Sequence, residues 1–147
     1  MENYFSELYL RDILKLRDEI AAFKDEDNIW RQMDGISNSA GTLTLHLVGN
    51  LNYTIGAMLG KTGYVRNRVE EFSLTGVPQT KLIADIELLA EVVKESLKDI
   101  SQQKLDEQYP LDFFGQKSTA FYMLQFYGHL TYHLGQINYL RRILEAV

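Results

Sequence analysis

Residues 123–140 read M-L-Q-F-Y-G-H-L-T-Y-H-L-G-Q-I-N-Y-L, and the period of their apolar groups decides the kind of protein this is. Wound as an α-helix at about 100° per residue and counted from His129, Leu140, Phe126, Ile137, Leu130, Met123, Leu134 and Tyr127 share one arc from about 20° to 160°. His133 falls inside that arc at about 40° and His129 on its edge, so the two imidazoles of H-L-T-Y-H stand on one face, one turn and about 6 Å apart. Gln125 and Gln136 lie beside them on the polar side of the edge. Two ring nitrogens can therefore aim at one spot. A buried imidazole is also commonly a hydrogen-bonded core residue, and for this pair alone that alternative stands.

Working outward, the same helical period recurs three times. Residues 4–24 place Phe5, Tyr9, Ile13, Leu16, Ile20 and Phe23 in steps of three and four, the mark of an amphipathic helix. After a polar break in which Ile29 and Trp30 are expected to fold back onto the end of the molecule, a second helix spans about 39 to 60, with Ser37 or Asn38 as its N-cap. It carries Leu43, Leu47, Leu51, Ile55, Met58 and Leu59 on a broad face, and His46 on the edge of it. Counted from His46, Asn50 lies at about 40° and Tyr53 at about −20°, so an amide and a phenol flank this ring too.

Residues 61–78 contain two glycines and a proline and read as a long connection with a short helical turn in its middle. Arg66, Arg68 and Glu71 could reach a ligand from it, or be solvated. A third helix, about 78 to 101, has Leu82, Ile86, Leu89, Val93, Leu97 and Ile100 on one face and its charges outside it. Pro110 and Gly115 interrupt the chain before the last helix, which starts near Ser118 and runs to the C-terminus. Four amphipathic helices without any strand pattern give an all-α class: a single domain over residues 1–147, a four-helix bundle with a long connection between helices 2 and 3.

Composition bounds what such a bundle does. The 147 residues are 46% hydrophobic and 24% charged, which suits one globular core. A net charge of −5, with no run of basic residues, disfavours nucleic acid and anionic membranes as partners. No stretch has the length of a membrane span and the N-terminus lacks the apolar run of a signal peptide, so a cytoplasmic location is expected. Zero cysteines leave no disulfide, thiolate ligand or cysteine nucleophile; a thiol would have to arrive with a substrate.

All three histidines of the chain thus sit at core-edge positions in helices, and three neutral imidazoles with one position open are a familiar catalytic metal environment. Leu130 follows His129, so H-L-T-Y-H lacks the glutamate base of H-E-x-x-H proteases. Leu43, Phe126 and Leu130 stand three residues before the histidines, so the Glu-x-x-His pairs of di-iron bundles are absent as well. One divalent ion per chain is expected, with zinc, nickel, iron and manganese all compatible with imidazole ligands.

The combination of N-S-A-G-T-L-T-L-H-L-V-G-N-L in the second helix with G-H-L-T-Y-H-L-G-Q-I-N-Y-L-R-R in the last resembles the DinB/YfiT-like superfamily over essentially the whole chain. The likeness is strongest to a branch with Gly-Asn after the helix-two histidine, here Gly49 and Asn50, and H-L-G-Q-I-N in the last helix, here His133 to Asn138. The resemblance implies that His46, His129 and His133 bind a divalent metal and that the protein forms a homodimer. Apolar groups outside the main stripes, Leu45, Val48 and Leu59, also point to a helix-face dimer.

Members of that superfamily with an assigned activity are mainly thiol-dependent transferases and isomerases, such as bacillithiol S-transferases and mycothiol-dependent maleylpyruvate isomerase. Many others are described only as metal-dependent hydrolases. A cysteine-free chain with an open metal position suits an external low-molecular-weight thiol, ionised and made nucleophilic by coordination. The hydrolase alternative puts water there and benefits from a nearby carboxylate base, and no carboxylate lies on the helix edges beside the histidines. Asn50, Tyr53, Gln125 and Gln136 are neutral and suit holding the imidazoles or a small-molecule substrate. A non-catalytic structural or metal-binding bundle is the third possibility.

Overall fold

The computed structural model describes residues 4–146. Among them are six α-helices and no strand: α1 (Tyr4–Ala21), α2 (Ala40–Leu51), α3 (Arg68–Ser73), α4 (Gln79–Leu97), α5 (Gln102–Asp106) and α6 (Thr119–Leu144). The expected apolar stripes are what they bury. Tyr9, Ile13, Leu16 and Ile20 of α1, Leu47 and Leu51 of α2, Ile86, Leu89 and Val93 of α4, and Met123, Leu130 and Ile137 of α6 are all fully enclosed. α1 packs against α4 and α6, and α2 against α4 and α6, so the four long helices share one core. No helix of the described residues is long and apolar enough to cross a membrane.

Buried polar groups tie α1 to α6. Tyr9 Oη donates to the Met123 carbonyl at 2.5 Å, and Asp12 accepts from Tyr127 Oη at 2.7 Å and from Arg11 Nε at 2.9 Å. Burial pushes the Asp12 carboxyl upward, but the bonds from Arg11 and Tyr127 and the nearby positive charges outweigh it and hold the group below its ordinary value. Farther along, Glu19 accepts from Asn138 Nδ2 at 2.6 Å and Arg141 Nε at 2.8 Å, so the asparagine of H-L-G-Q-I-N fastens two helices together.

Three boundaries differ from the reading of the sequence. The N-cap of α2 is Ser39 rather than Ser37 or Asn38, its Oγ accepting from the Thr42 amide at 3.1 Å. Beyond Leu51 the helix widens into a π-helical segment, Asn52–Ala57. Tyr109, from the irregular stretch before α6, donates to the Thr54 carbonyl at 2.8 Å and so satisfies an acceptor in the widened turn. The third long helix ends at Leu97, and five residues of the irregular stretch after it form α5.

Leu45, Val48 and Leu59 are half-buried and packed against the core. The apolar side chains that face outward on α6 include Leu124, Tyr132 and Tyr139. At the other end of the molecule Ile29 is fully buried and Trp30 folds back, its Nε1 donating to the Val77 carbonyl at 3.3 Å. The Trp30 ring lies flat against α2 at Gly41, where an added Cβ would sit 2.6 Å from ring carbon Cε3. An indole tied by its Nε1 to Val77 and packed on the core cannot easily retreat from that atom. Gly41→Ala is therefore expected to destabilise the fold by about 1–3 kcal/mol and to shift the emission of Trp30, the one tryptophan of the chain, to longer wavelength. Urea titration followed by fluorescence measures both, and an unchanged midpoint and spectrum would contradict the contact.

Candidate metal centre

α2 and α6 lie side by side, and their core-edge positions face each other. That places His46 opposite H-L-T-Y-H. His46 Nε2 lies 3.0 Å from His129 Nε2, which lies 3.1 Å from His133 Nε2, and the ligand atoms of the three all fall within 4.8 Å of one another. The rings meet edge to face, at 80–85°. The three histidines that the sequence marked as ligands are thus brought to one point.

What surrounds them decides which nitrogen faces inward. Glu71 Oε1 lies 3.0 Å from His46 Nδ1, and a carboxylate oxygen accepts, so the proton sits on Nδ1 and the Nε2 lone pair faces the cluster. Gln136 Oε1 accepts from His133 Nδ1 at 2.6 Å with the same result. His129 Nδ1 is buried without a partner. Two lone pairs therefore converge on His129 Nε2, and one proton there cannot form a good bond to both. Nitrogens bound to one zinc at about 2.0–2.1 Å in tetrahedral geometry lie about 3.3 Å apart, close to the separations here. The donor set fits a cation better than it fits a hydrogen-bonded cluster.

Glu71 is the residue that the sequence left undecided. It comes from α3, inside the long connection, and it is buried. Arg66 grips it with two bonds of 2.8 Å, from Nε and Nη2. The reading that no carboxylate accompanies the histidines holds for the helix edges of α2 and α6 and fails for the folded molecule, because α3 lays Glu71 across α2. The approach is made possible by Gly49: a Cβ there would lie 2.1 Å from Glu71 Oε2. A glycine in a helix interior, three residues after a candidate ligand, is the sequence signal that could have revealed this contact. With Oε1 shared between His46 and Arg66 and Oε2 bonded by Arg66, Glu71 orients a ring and is poorly free to take a proton from elsewhere.

The remaining candidates divide. Asn50 and Gln125 line a cavity of about 300 Å³ that opens on His46 and His129, and Asn50 Oδ1 is buried there without a partner. Gln136 lines a second cavity, of about 410 Å³, which opens on His133. Tyr53 falls in the π-helical segment, half-buried, and lines neither cavity. Arg66 and Arg68 both reach the first cavity.

Fold and site together define a class: an all-helical protein with a three-histidine group, from two helices, that could hold a metal ion. The chain belongs to the family described as "Protein of unknown function (DUF1572)", whose model matches residues 3–147. No curated protein and no solved structure matches it.

Burial pushes His129 down to about 4, with His133, His46 and the Arg66 charge adding to the shift. Burial also lowers His46, although the bond and charge of Glu71 oppose it. Both rings take up a proton less readily folded than unfolded, so the metal-free protein is expected to keep its full stability above the ordinary histidine value of 6.5 and to lose it as pH falls toward about 4. Urea midpoints between pH 7 and 5 measure the slope, and His129→Gln should flatten it.

Support of His46 is tested separately. Glu71→Gln and Gly49→Ala should each weaken zinc binding by about 10–100-fold, and together by little more than either alone, since both act on one contact. Chelator competition gives the affinities; unchanged values in both variants would remove Glu71 from the site.

Proposed function

We propose that this protein is a mononuclear divalent-metal enzyme of the DinB/YfiT type, a four-helix bundle that transfers an external low-molecular-weight thiol to an electrophilic substrate. The observation that carries the reading is the convergence of three imidazole Nε2 atoms at a point reached from two cavities, one past His46 and His129 and the other past His133. Two reactants can approach that point from different sides. A hydrolase needs room for one substrate and a water, together with a free base, whereas Glu71 is engaged by His46 and Arg66.

When bound, a divalent cation supplies the positive charge that keeps a thiol ionised at neutral pH. The chain does the rest. His46 and His133 are held with their Nε2 lone pairs inward by Glu71 and Gln136, and His129 is kept neutral by burial. The mainly apolar wall around His133, including Leu43, Leu140 and Ile143, suits an apolar electrophile on that side. The new C–S bond forms as the bond to the leaving group breaks; the leaving group departs with the electron pair, and the thiol proton passes to solvent.

We further read the molecule as a homodimer. Leu124, Tyr132 and Tyr139 are exposed within an arc of about 80° on α6, and light scattering at twice the chain mass is the expected result.

The activity is tested with a panel of small thiols and an activated aryl or alkyl halide, beside a panel of esters and amides. Thiol consumption is expected with added zinc, nickel, iron or manganese, and its fall to the uncatalysed rate after chelation or in His133→Ala. Consumption that survives both treatments sinks the transferase reading, and turnover of esters without a thiol would replace it with the hydrolytic one.

A further inference from the structure

The two cavities beside the histidines differ in chemistry. The one past His133 has a mainly apolar wall, with Met33, Ile36, Leu43, Leu140 and Ile143. The one past His46 and His129 has two guanidinium groups, Arg66 and Arg68, and no carboxylate on its wall, in a chain whose net charge is −5. A cationic recess in an acidic protein focuses the field on whatever anion enters it.

The two arginines are not equivalent. Arg66 has both ends of its fork on Glu71, so its charge is matched. Arg68 has no carboxylate partner among the described residues. Its guanidinium lies over the Phe72 ring, 5.0 Å from the centroid, and that ring lies 4.8 Å from the ring of His46. The contact of Arg68 with Phe72, whose ring is tilted against that of His46, holds a positively charged fork on the wall of the cavity that opens on His46 and His129. Ordering a long side chain in this way removes in advance part of the entropy that a ligand would otherwise have to overcome. On the same wall Asn50 is nine-tenths buried, and the Nδ2 N–H donors of its side chain are what it can offer an anion. Phe113 and Phe114, both exposed, add an aromatic flank.

We propose that this cavity is an anion subsite that takes the carboxylate of a small carboxylic acid, bound by the Arg68 guanidinium with Asn50 Nδ2 donating beside it, and with the ligand's carbon chain along Phe113 and Phe114. One unmatched guanidinium and one amide suit a planar monoanion; the closer cradle of donors that a phosphate ester needs is not assembled on this wall. That the ligand is also the thiol cosubstrate rests on the transferase reading. On that reading the cosubstrate is an acidic thiol entering from the arginine side, and the electrophile is an apolar molecule entering past His133.

Calorimetric titration of the zinc-loaded protein with 3-mercaptopropionate, 3-mercaptopropionamide and propionate tests the subsite by binding alone. A hydrogen bond to a charged group contributes about 1.5–3 kcal/mol, so the acid should bind at least about tenfold tighter than its amide. Arg68→Gln should bring that ratio close to one, and Arg68→Lys should restore part of it, which separates loss of recognition from misfolding. Equal affinity for acid and amide in the unaltered protein, or a preference that survives Arg68→Gln, overturns the subsite. The two readings fail differently. If both thiols bind with no preference for the acid, the subsite falls and thiol use stands. If propionate binds through Arg68 while the thiol group adds nothing, the subsite stands and thiol use falls.

Discussion

A carboxylate taken out of water must be matched, and in this molecule the buried carboxylate of Glu71 is matched by Arg66 on one side and His46 Nδ1 on the other. Leaving it unmatched would cost several kcal/mol, by order of magnitude more than any single surface contact contributes. The requirement therefore governs a whole segment. It draws the connection between α2 and α4 down onto α2, and it needs the missing side chain of Gly49 to bring the backbone close enough. It also fixes the tautomer of His46, which turns a ring nitrogen lone pair toward the other two histidines. A structural ion pair and the orientation of a candidate metal ligand are one arrangement.

The three imidazoles themselves are crowded together. Each nitrogen at the meeting point is about 3 Å from the next, and burial together with the neighbouring rings and Arg66 makes a proton on His129 unwelcome, down to about 4. With Glu71 and Gln136 taking the Nδ1 protons of His46 and His133, the meeting point holds more lone pairs than protons to share. Such a cluster is stabilised by a cation and only partly by hydrogen bonds. The energetics of the fold and the function inferred for it therefore point the same way: packing of α2 on α6 forces the rings together, and a positive charge among them relieves the crowding of lone pairs.

Around that point the wall is divided by charge. Met33, Ile36 and Leu43, from the segment before α2 and from α2 itself, meet Leu140 and Ile143 of α6 to make one side apolar. On the other side α3 contributes Arg68, and its neighbour Arg66 precedes it. α3 thus has two tasks. Through Glu71 it orients His46, a candidate ligand, and through Arg68 on Phe72 it presents a charge. A six-residue helix with little buried apolar surface is held in place by these polar contacts more than by the core, and it is the short helical turn expected in the middle of the connection.

The helices and the His129–His133 pair were legible in the sequence because both depend on local geometry. Steps of three and four put Tyr9, Ile13, Leu16 and Ile20, or Met123, Leu130 and Ile137, on one face whatever they pack against, and four-residue spacing alone places His129 under His133. Gln136 is found by the same arithmetic, three residues from the ring it holds. Contacts across 20 residues or more obey no such period. Glu71 reaching His46, Asn138 reaching Glu19, Tyr109 meeting the carbonyl of Thr54, and the turn of Tyr53 into a π-helical segment follow from how the connections fold over the helices. Periodicity specifies which face of a helix is buried, and so the core and the candidate ligand pair of α6 could be read in advance. Which loop covers that face, and with which charge, was decided only in three dimensions, where the cost of burying a carboxylate selects the partners it must have.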